Sequence, residues 1–223
     1  MDLVAATAAL GMSIGLSLLL RSQPNVGSGP HVISALGYLA YWVPLLAAVL
    51  VVKRRGWGGS RTISWRFKPM DILWGLGVGL LLRTLVTFLE FVVRGDVSVG
   101  TVLTQPAASP VELVLFAFSL FVVPIVVAPL VEELFFRSTL LRALERDPAA
   151  IGNAVLAVTG SAVLFALPHA LQATSFASGG VAFGSTAIFG IGAGVLAVTT
   201  RRLWSPVTAH AAYNGAILPL MLV

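Results

Sequence analysis

The sequence predicts an all-α fold: a polytopic transmembrane helical bundle of about seven spans, or eight if the fourth is split. Three observations predict it. The chain of 223 residues is 57% hydrophobic and only 10% charged, far below the roughly 25% charged residues of a soluble domain. A water-soluble core cannot hide that much apolar surface, so lipid is its solvent. The apolar residues fall into seven runs close to the ~20 residues that cross a bilayer as helix. The basic residues collect in alternate loops between those runs.

Taken in order, the predicted spans cover about 3–20, 32–52, 72–93, 111–131, 150–169, 181–200 and 204–222. Turn and charge signals separate them, among them Gln23-Pro24-Asn25 and Lys53-Arg54-Arg55-Gly56. Gly75, Gly77 and Gly79 in the third span, and Gly190, Gly192 and Gly194 in the sixth, permit close helix contacts. We divide the chain into three N-terminal spans (1–110), with a basic loop at 53–71, and a C-terminal helical core (111–223). No soluble domain or internal repeat is evident. Met1-Asp2 opens without a basic n-region and no small-residue cleavage site follows, so a cleavable signal peptide is not expected. Cysteine is absent, which removes disulfides and thiolate zinc sites.

Sidedness follows from the Lys and Arg positions. Lys53, Arg54, Arg55, Arg61, Arg66 and Lys68 fill the second loop, Arg137, Arg142 and Arg146 the fourth, and Arg201 and Arg202 the sixth. With seven spans all of these share one side, while the other holds only Arg21 and Arg94, both able to snorkel from span ends. The positive-inside rule then puts the N-terminus in the cytoplasm and the C-terminus outside. The net charge of +5 is thus an orientation signal and implies no nucleic-acid partner. Ser64-Trp65-Arg66-Phe67-Lys68-Pro69-Met70 alternates aromatic and basic residues, as a headgroup-layer anchor does.

Ionisable groups inside spans are costly and mark functional sites by default. Arg83 and Glu90, seven apart on one helix face, read as a buried structural pair with partners on other helices. Glu112 opens the fourth span. Glu132 and Glu133 follow at its far end, pointing about 100° apart on a helix and so suited to different tasks. Glu133 can pair with Arg137 one turn on, leaving Glu132 free to face a cavity as a general base. His169 closes the fifth span one turn after Phe165, beside Pro168. His210 and Asn214 share a face of the seventh, among Ala209, Ala211, Ala212 and Gly215. Singly, these are juxtamembrane charges, interfacial residues or interhelical glue. Together they are the residue types that activate a water and stabilise an oxyanion, or that hold a metal through His169, His210 and Glu132 with a position left for water. Neither the zinc-protease pattern His-Glu-x-x-His nor a Gly-x-Ser-x-Gly elbow is present, and Ser161 and Ser185 lack the flanking motif of a nucleophile.

Three motifs in order, Glu132-Glu133-x-x-x-Arg137, Phe165-x-x-x-His169 and His210-x-x-x-Asn214, resemble the signatures of the CAAX protease and bacteriocin-processing (CPBP/Abi) family of intramembrane peptidases. The resemblance runs from about Val111 to the C-terminus; spans one to three match no family pattern. It implies an intramembrane endopeptidase acting on a membrane-embedded or lipidated protein or peptide. Glu132 would activate the water, His169 would position it and shuttle the proton, and Glu133 with Arg137 would support the site. His210 and Asn214 would bind the oxyanion, or His210 would join His169 on a metal. The cofactor stays open: zinc, another divalent ion, or none. The expected location is the plasma membrane of a prokaryote. Two rival readings keep the residues without proteolysis: a non-catalytic immunity or peptide-binding protein, and a small proton-coupled transporter.

Depth is the difficulty. As drawn, Glu132 lies near the cytoplasmic end of its span and His169 near the outer end of the next. The tension resolves if the fourth helix continues through Leu144, kinked at Pro124 or Pro129, which buries Glu132 about 18 Å from the helix end.

Overall fold

The computed structural model describes residues 2–22, 30–55, 63–95, 109–145 and 150–217. Among them the fold is all-α, with one isolated bridge (Ser64 to Arg202) and no strand. The helices are α1 (Asp2–Arg21), α2 (Pro30–Arg54), α3 (Pro69–Arg94), α4 (Pro110–Leu144), α5 (Ile151–Leu171), α6 (Phe176–Thr200) and α7 (Trp204–Gly215). The first six are long and apolar enough to cross a membrane; the chain is an integral, multi-pass membrane protein. The seventh differs from expectation. As described, it has 12 residues, about 18 Å of helix, and residues 218–222 of the predicted 204–222 span lie outside the described residues.

The fourth span is neither short nor split. It is one helix of 35 residues, and it runs on through Leu144 as the depth argument requires. Two π-helical stretches, Phe118–Val127 and Phe136–Leu141, interrupt its α geometry. Pro124 lies in the first, where proline lacks the N–H and crowds the preceding turn, so a wider winding relieves the clash. Ser109 caps the start, its Oγ accepting from the Glu112 N–H at 3.2 Å.

Close approach of α3 to α7 rests on Gly75 and Gly79. A Cβ at Gly75 would stand 2.5 Å from Thr208 Cβ, and one at Gly79 would collide with the Ala209 carbonyl. Gly190 and Gly194 serve α6 against α5 in the same way, facing Ala162 and Val158. Gly77 meets nothing within 4 Å, so the glycine cluster of the third span divides into packing positions and a free one. In lipid, where helices associate by van der Waals fit and not by hydrophobic drive, this contact decides the placement of α7. Gly79→Leu is therefore expected to abolish a cooperative thermal transition in detergent, while Gly77→Ala leaves the midpoint within about 2 °C.

The basic-side loops clip together beneath the bundle. Ser64 N–H donates to the Arg201 carbonyl at 2.8 Å, and Leu203 N–H to the Ser64 carbonyl at 3.0 Å. Trp204 Nε1–H donates to the Trp65 carbonyl at 2.9 Å, with the rings of Trp65 and Phe67 edge-on to Trp204. Asp71, fully buried in the first turn of α3, accepts from Arg202 Nε and Ser205 Oγ, both at 2.6 Å, and from the Lys68 N–H at 2.8 Å. Arg201 forks onto Glu145 at 2.9 and 3.0 Å. The aromatic-basic segment is thus also a strap that fixes the starts of α3 and α7. Arg83 and Glu90 take partners on other helices, as expected: Glu90 accepts from Ser185 Oγ on α6 at 2.6 Å, and Arg83 lies over the Tyr213 ring on α7 at 4.8 Å.

Candidate active site

Residues from α4, α5 and α7 meet in the bundle interior, backed by α2 and α6. Glu132 and Glu133 occupy the α-helical stretch between the two π segments of α4, and Arg137 lies in the second π segment. Glu133 and Arg137 are fully buried and joined by Nε–H to Oε2 at 2.7 Å. Arg137 Nη1 also donates to Ser161 Oγ on α5 at 3.1 Å, and the Ser161 hydroxyl in turn donates to the Phe136 carbonyl at 3.1 Å. The guanidinium lies 5.4 Å from the centre of the Phe165 ring. A buried carboxylate in this setting needs a cation and hydrogen bonds to stay ionised, and Glu133 has both.

The second oxygen of Glu133 receives His210. Nδ1 of His210 stands 3.0 Å from Glu133 Oε1. An ionised carboxylate only accepts, so Nδ1 carries the proton and Nε2 turns away from Glu133. That Nε2 lies 4.0 Å from Glu132 Oε2. Glu132 is 7% exposed and His210 5%, so both nearly leave solvent but keep an opening. The other oxygen of Glu132 accepts from Trp42 Nε1–H of α2 at 3.4 Å, a long hydrogen bond. The two adjacent glutamates therefore have different employment: Glu133 is saturated by Arg137 and His210, and Glu132 has one long bond and a face toward Nε2.

His169 joins the group indirectly. Its Nδ1–H donates to the Phe165 carbonyl at 3.0 Å, which leaves Nε2 for another partner. Among the described residues it makes no hydrogen bond to either glutamate; it shares the Phe165 ring with His210, at 5.2 and 5.7 Å between ring centres. Asn214 is half-buried and donates Nδ2–H to the Pro124 carbonyl at 2.8 Å. The π winding around Pro124 supplies that acceptor and ties α7 to α4. One amide N–H of Asn214 is left for another partner. Phe136, Phe165 and Phe189 wall the group, with Phe189 4.7 Å from His210. Among the described residues, no three His, Asp or Glu side chains form a group that could hold a metal, so His169, His210 and Glu132 do not make the expected ligand set in this conformation.

Residues 114–216 match the family model described as type II CAAX prenyl endopeptidase Rce1-like. That segment is similar to the Rce1-like family. No curated protein and no solved structure matches the chain. The Rce1-like segment begins inside α4 and ends one residue beyond α7, so it contains all six motif residues, Glu132, Glu133, Arg137, His169, His210 and Asn214. This similarity supports an intramembrane protease in general, set in a multi-pass membrane bundle.

Two neighbours of the Rce1-like motifs escaped the sequence reading. Trp42 lies outside the matched segment and carried no signal, because an aromatic ring in an apolar span is ordinary. Ser161 was weighed only as a nucleophile; its position as a polar residue in an apolar helix was the available sign of a supporting role.

Proposed function

We propose that the chain hydrolyses a peptide bond in a membrane-embedded or lipidated peptide or protein with Glu132 as general base. The observation that carries this is the division of labour in the glutamate pair. Glu133 is saturated, whereas Glu132 faces Nε2 of His210 across 4.0 Å. A water making hydrogen bonds of about 2.8 Å to both atoms fits that gap with an angle near 90°.

The reaction then runs with balanced atoms. The water oxygen attacks the scissile carbonyl carbon as its proton passes to Glu132. Glu133 accepts the Nδ1–H of His210 and so holds the ring with Nε2 toward the developing oxyanion. The free N–H of Asn214 is the second donor for that oxyanion. Collapse of the tetrahedral intermediate breaks the C–N bond, and the leaving amine takes the proton from Glu132 through His169, whose Nε2 is left by the Phe165 hydrogen bond to serve as a relay. Arg137 acts through Glu133 and Trp42 through Glu132; both are positioning residues. The N-terminus is assigned to the cytoplasm by the Lys and Arg asymmetry.

The cofactor question has a direct test. Steady-state hydrolysis of a lipidated-peptide library by purified protein in detergent is expected to persist after incubation with a zinc chelator and desalting. Loss of activity that added zinc restores would overturn this reading and make His169 and His210 metal ligands.

A further inference from the structure

We infer that a file of water runs from the basic face of the bundle to Glu132 along the seam of α1, α2 and α4, held by Ser13, Ser17 and Tyr41; this rests on the proteolytic reading above, for which it supplies the hydrolytic water. Each cut consumes one water, and a site surrounded by lipid has no bulk supply beside it. Within the seam, α1 packs against residues 136–144 of α4, and α2 against residues 128–141. In these helices Ser13, Ser17, Tyr41, Ser138 and Thr139 each carry a buried hydroxyl that meets no partner among the described residues, and Arg137 Nη2–H is buried without an acceptor.

A buried hydroxyl left dry and unpartnered is costly, and such groups in folded proteins bond to internal water instead. A serine or threonine in an apolar helix has an easier remedy, the carbonyl one turn back. Thr7, Thr84, Thr199 and Thr208 take it, at 2.7 to 2.9 Å. Ser13 and Ser17, one turn apart on the buried face of α1, do not. The backbone therefore does not account for their hydroxyls.

Their levels make one path. Counted up from the helix ends at the basic face, Thr139, Ser138 and Arg137 lie at about 8, 9 and 11 Å on α4. Ser13 and Ser17 follow at about 17 and 23 Å on α1, and Tyr41 at about 20 Å on α2. Glu132, at about 18 Å, falls among the last three. The widest step, about 6 Å, is the span of one bridging water with hydrogen bonds of about 2.8 Å. Tyr41 adjoins Trp42, whose Nε1–H reaches Glu132 at 3.4 Å, and the charge of Glu132 acts on the Tyr41 phenol. The histidine side of the site is instead lined by the rings of Phe165 and Phe189, so the polar approach to Glu132 is the one beside Tyr41.

The test uses full-length protein in nanodiscs and two double variants, Ser13→Val with Ser17→Val and Ser13→Thr with Ser17→Thr. Valine and threonine are both β-branched and nearly equal in shape, so the pair separates the hydroxyls from the packing. X-ray radiolytic labelling read by mass spectrometry reports side chains that touch water. Tyr41 is expected to be labelled in the wild type, about fivefold less in the valine double, and at near the wild-type level in the threonine double. For a fluorescent S-farnesylated peptide, the valine double is expected to lower kcat about 10-fold at unchanged KM, and the threonine double to rescue it. An unlabelled Tyr41 in an active wild type, or equal labelling or equal kcat in the two doubles, would overturn the inference and leave the protease reading intact. Hydroxyl-dependent labelling of Tyr41 in a wild type that cleaves no peptide would keep the water file and refute proteolysis. If the valine double does not fold, the wild-type labelling of Tyr41 and the kcat of Tyr41→Phe, expected to fall about fivefold, decide.

Discussion

Glu132→Gln is expected to lower kcat for peptide hydrolysis by about three orders of magnitude, within the range of a removed general base, without unfolding the protein. The amide keeps an oxygen for the Trp42 N–H, and Glu132 has only that one long bond at 3.4 Å to lose. The thermal midpoint in detergent should stay within about 3 °C of wild type. Hydrolysis of the same lipidated peptides at the wild-type rate would remove Glu132 from its role. A change in KM alone would make it a binding residue. Trp42→Phe offers a milder companion, because it frees one carboxylate oxygen and leaves the other facing His210.

The largest stability effect is expected at the neighbouring pair. Arg137→Ala leaves Glu133 fully buried with His210 as its remaining partner. Breaking a buried pair on one side costs about 3–5 kcal/mol, or a midpoint lowered by about 10 °C for a chain of this size. Glu133→Gln should act similarly by stranding the guanidinium among Phe136, Phe165 and Ser161. The double variant Glu133→Gln with Arg137→Met removes both charges and keeps an acceptor for His210 Nδ1–H. It should recover more than half of the lost stability, since the two penalties arise from one uncompensated charge. Activity should not return with it, because a neutral amide no longer gives His210 a carboxylate partner. Strictly additive single effects would show that the pair is not coupled.

Much of the fold was legible because the lipid solvent writes a coarse code. Six of the apolar runs became long helices, and all but the fourth lie within a few residues of their expected bounds. The exceptions have local causes. The fourth run was read as ending at residue 131 because Glu132, Glu133 and Arg137 look like a loop. They are instead paired inside the bundle, which lets the helix continue to Leu144. The seventh is described as a 12-residue helix, since an apolar tail has the same composition whether or not it is wound as a span. Helical periodicity places Arg83 and Glu90 on one face and implies partners on other helices, but only the packing shows which: α6 for Glu90 and α7 for Arg83.

For the candidate site, spacing in sequence chose the residues and contacts in space gave them distinct employment. The run Glu132-Glu133-x-x-x-Arg137 determined that one glutamate pairs with the arginine, because residues four apart meet across one helical turn whatever surrounds them. It also determined that the other glutamate points elsewhere. What it points at was decided only by the tertiary structure. His210 reaches Glu133 and faces Glu132 because Gly75 and Gly79 let α7 sit against α3, and because the winding around Pro124 turns a carbonyl to Asn214. Those contacts join residues more than seventy positions apart, and helical periodicity, which acts over a few residues, carries no information about them.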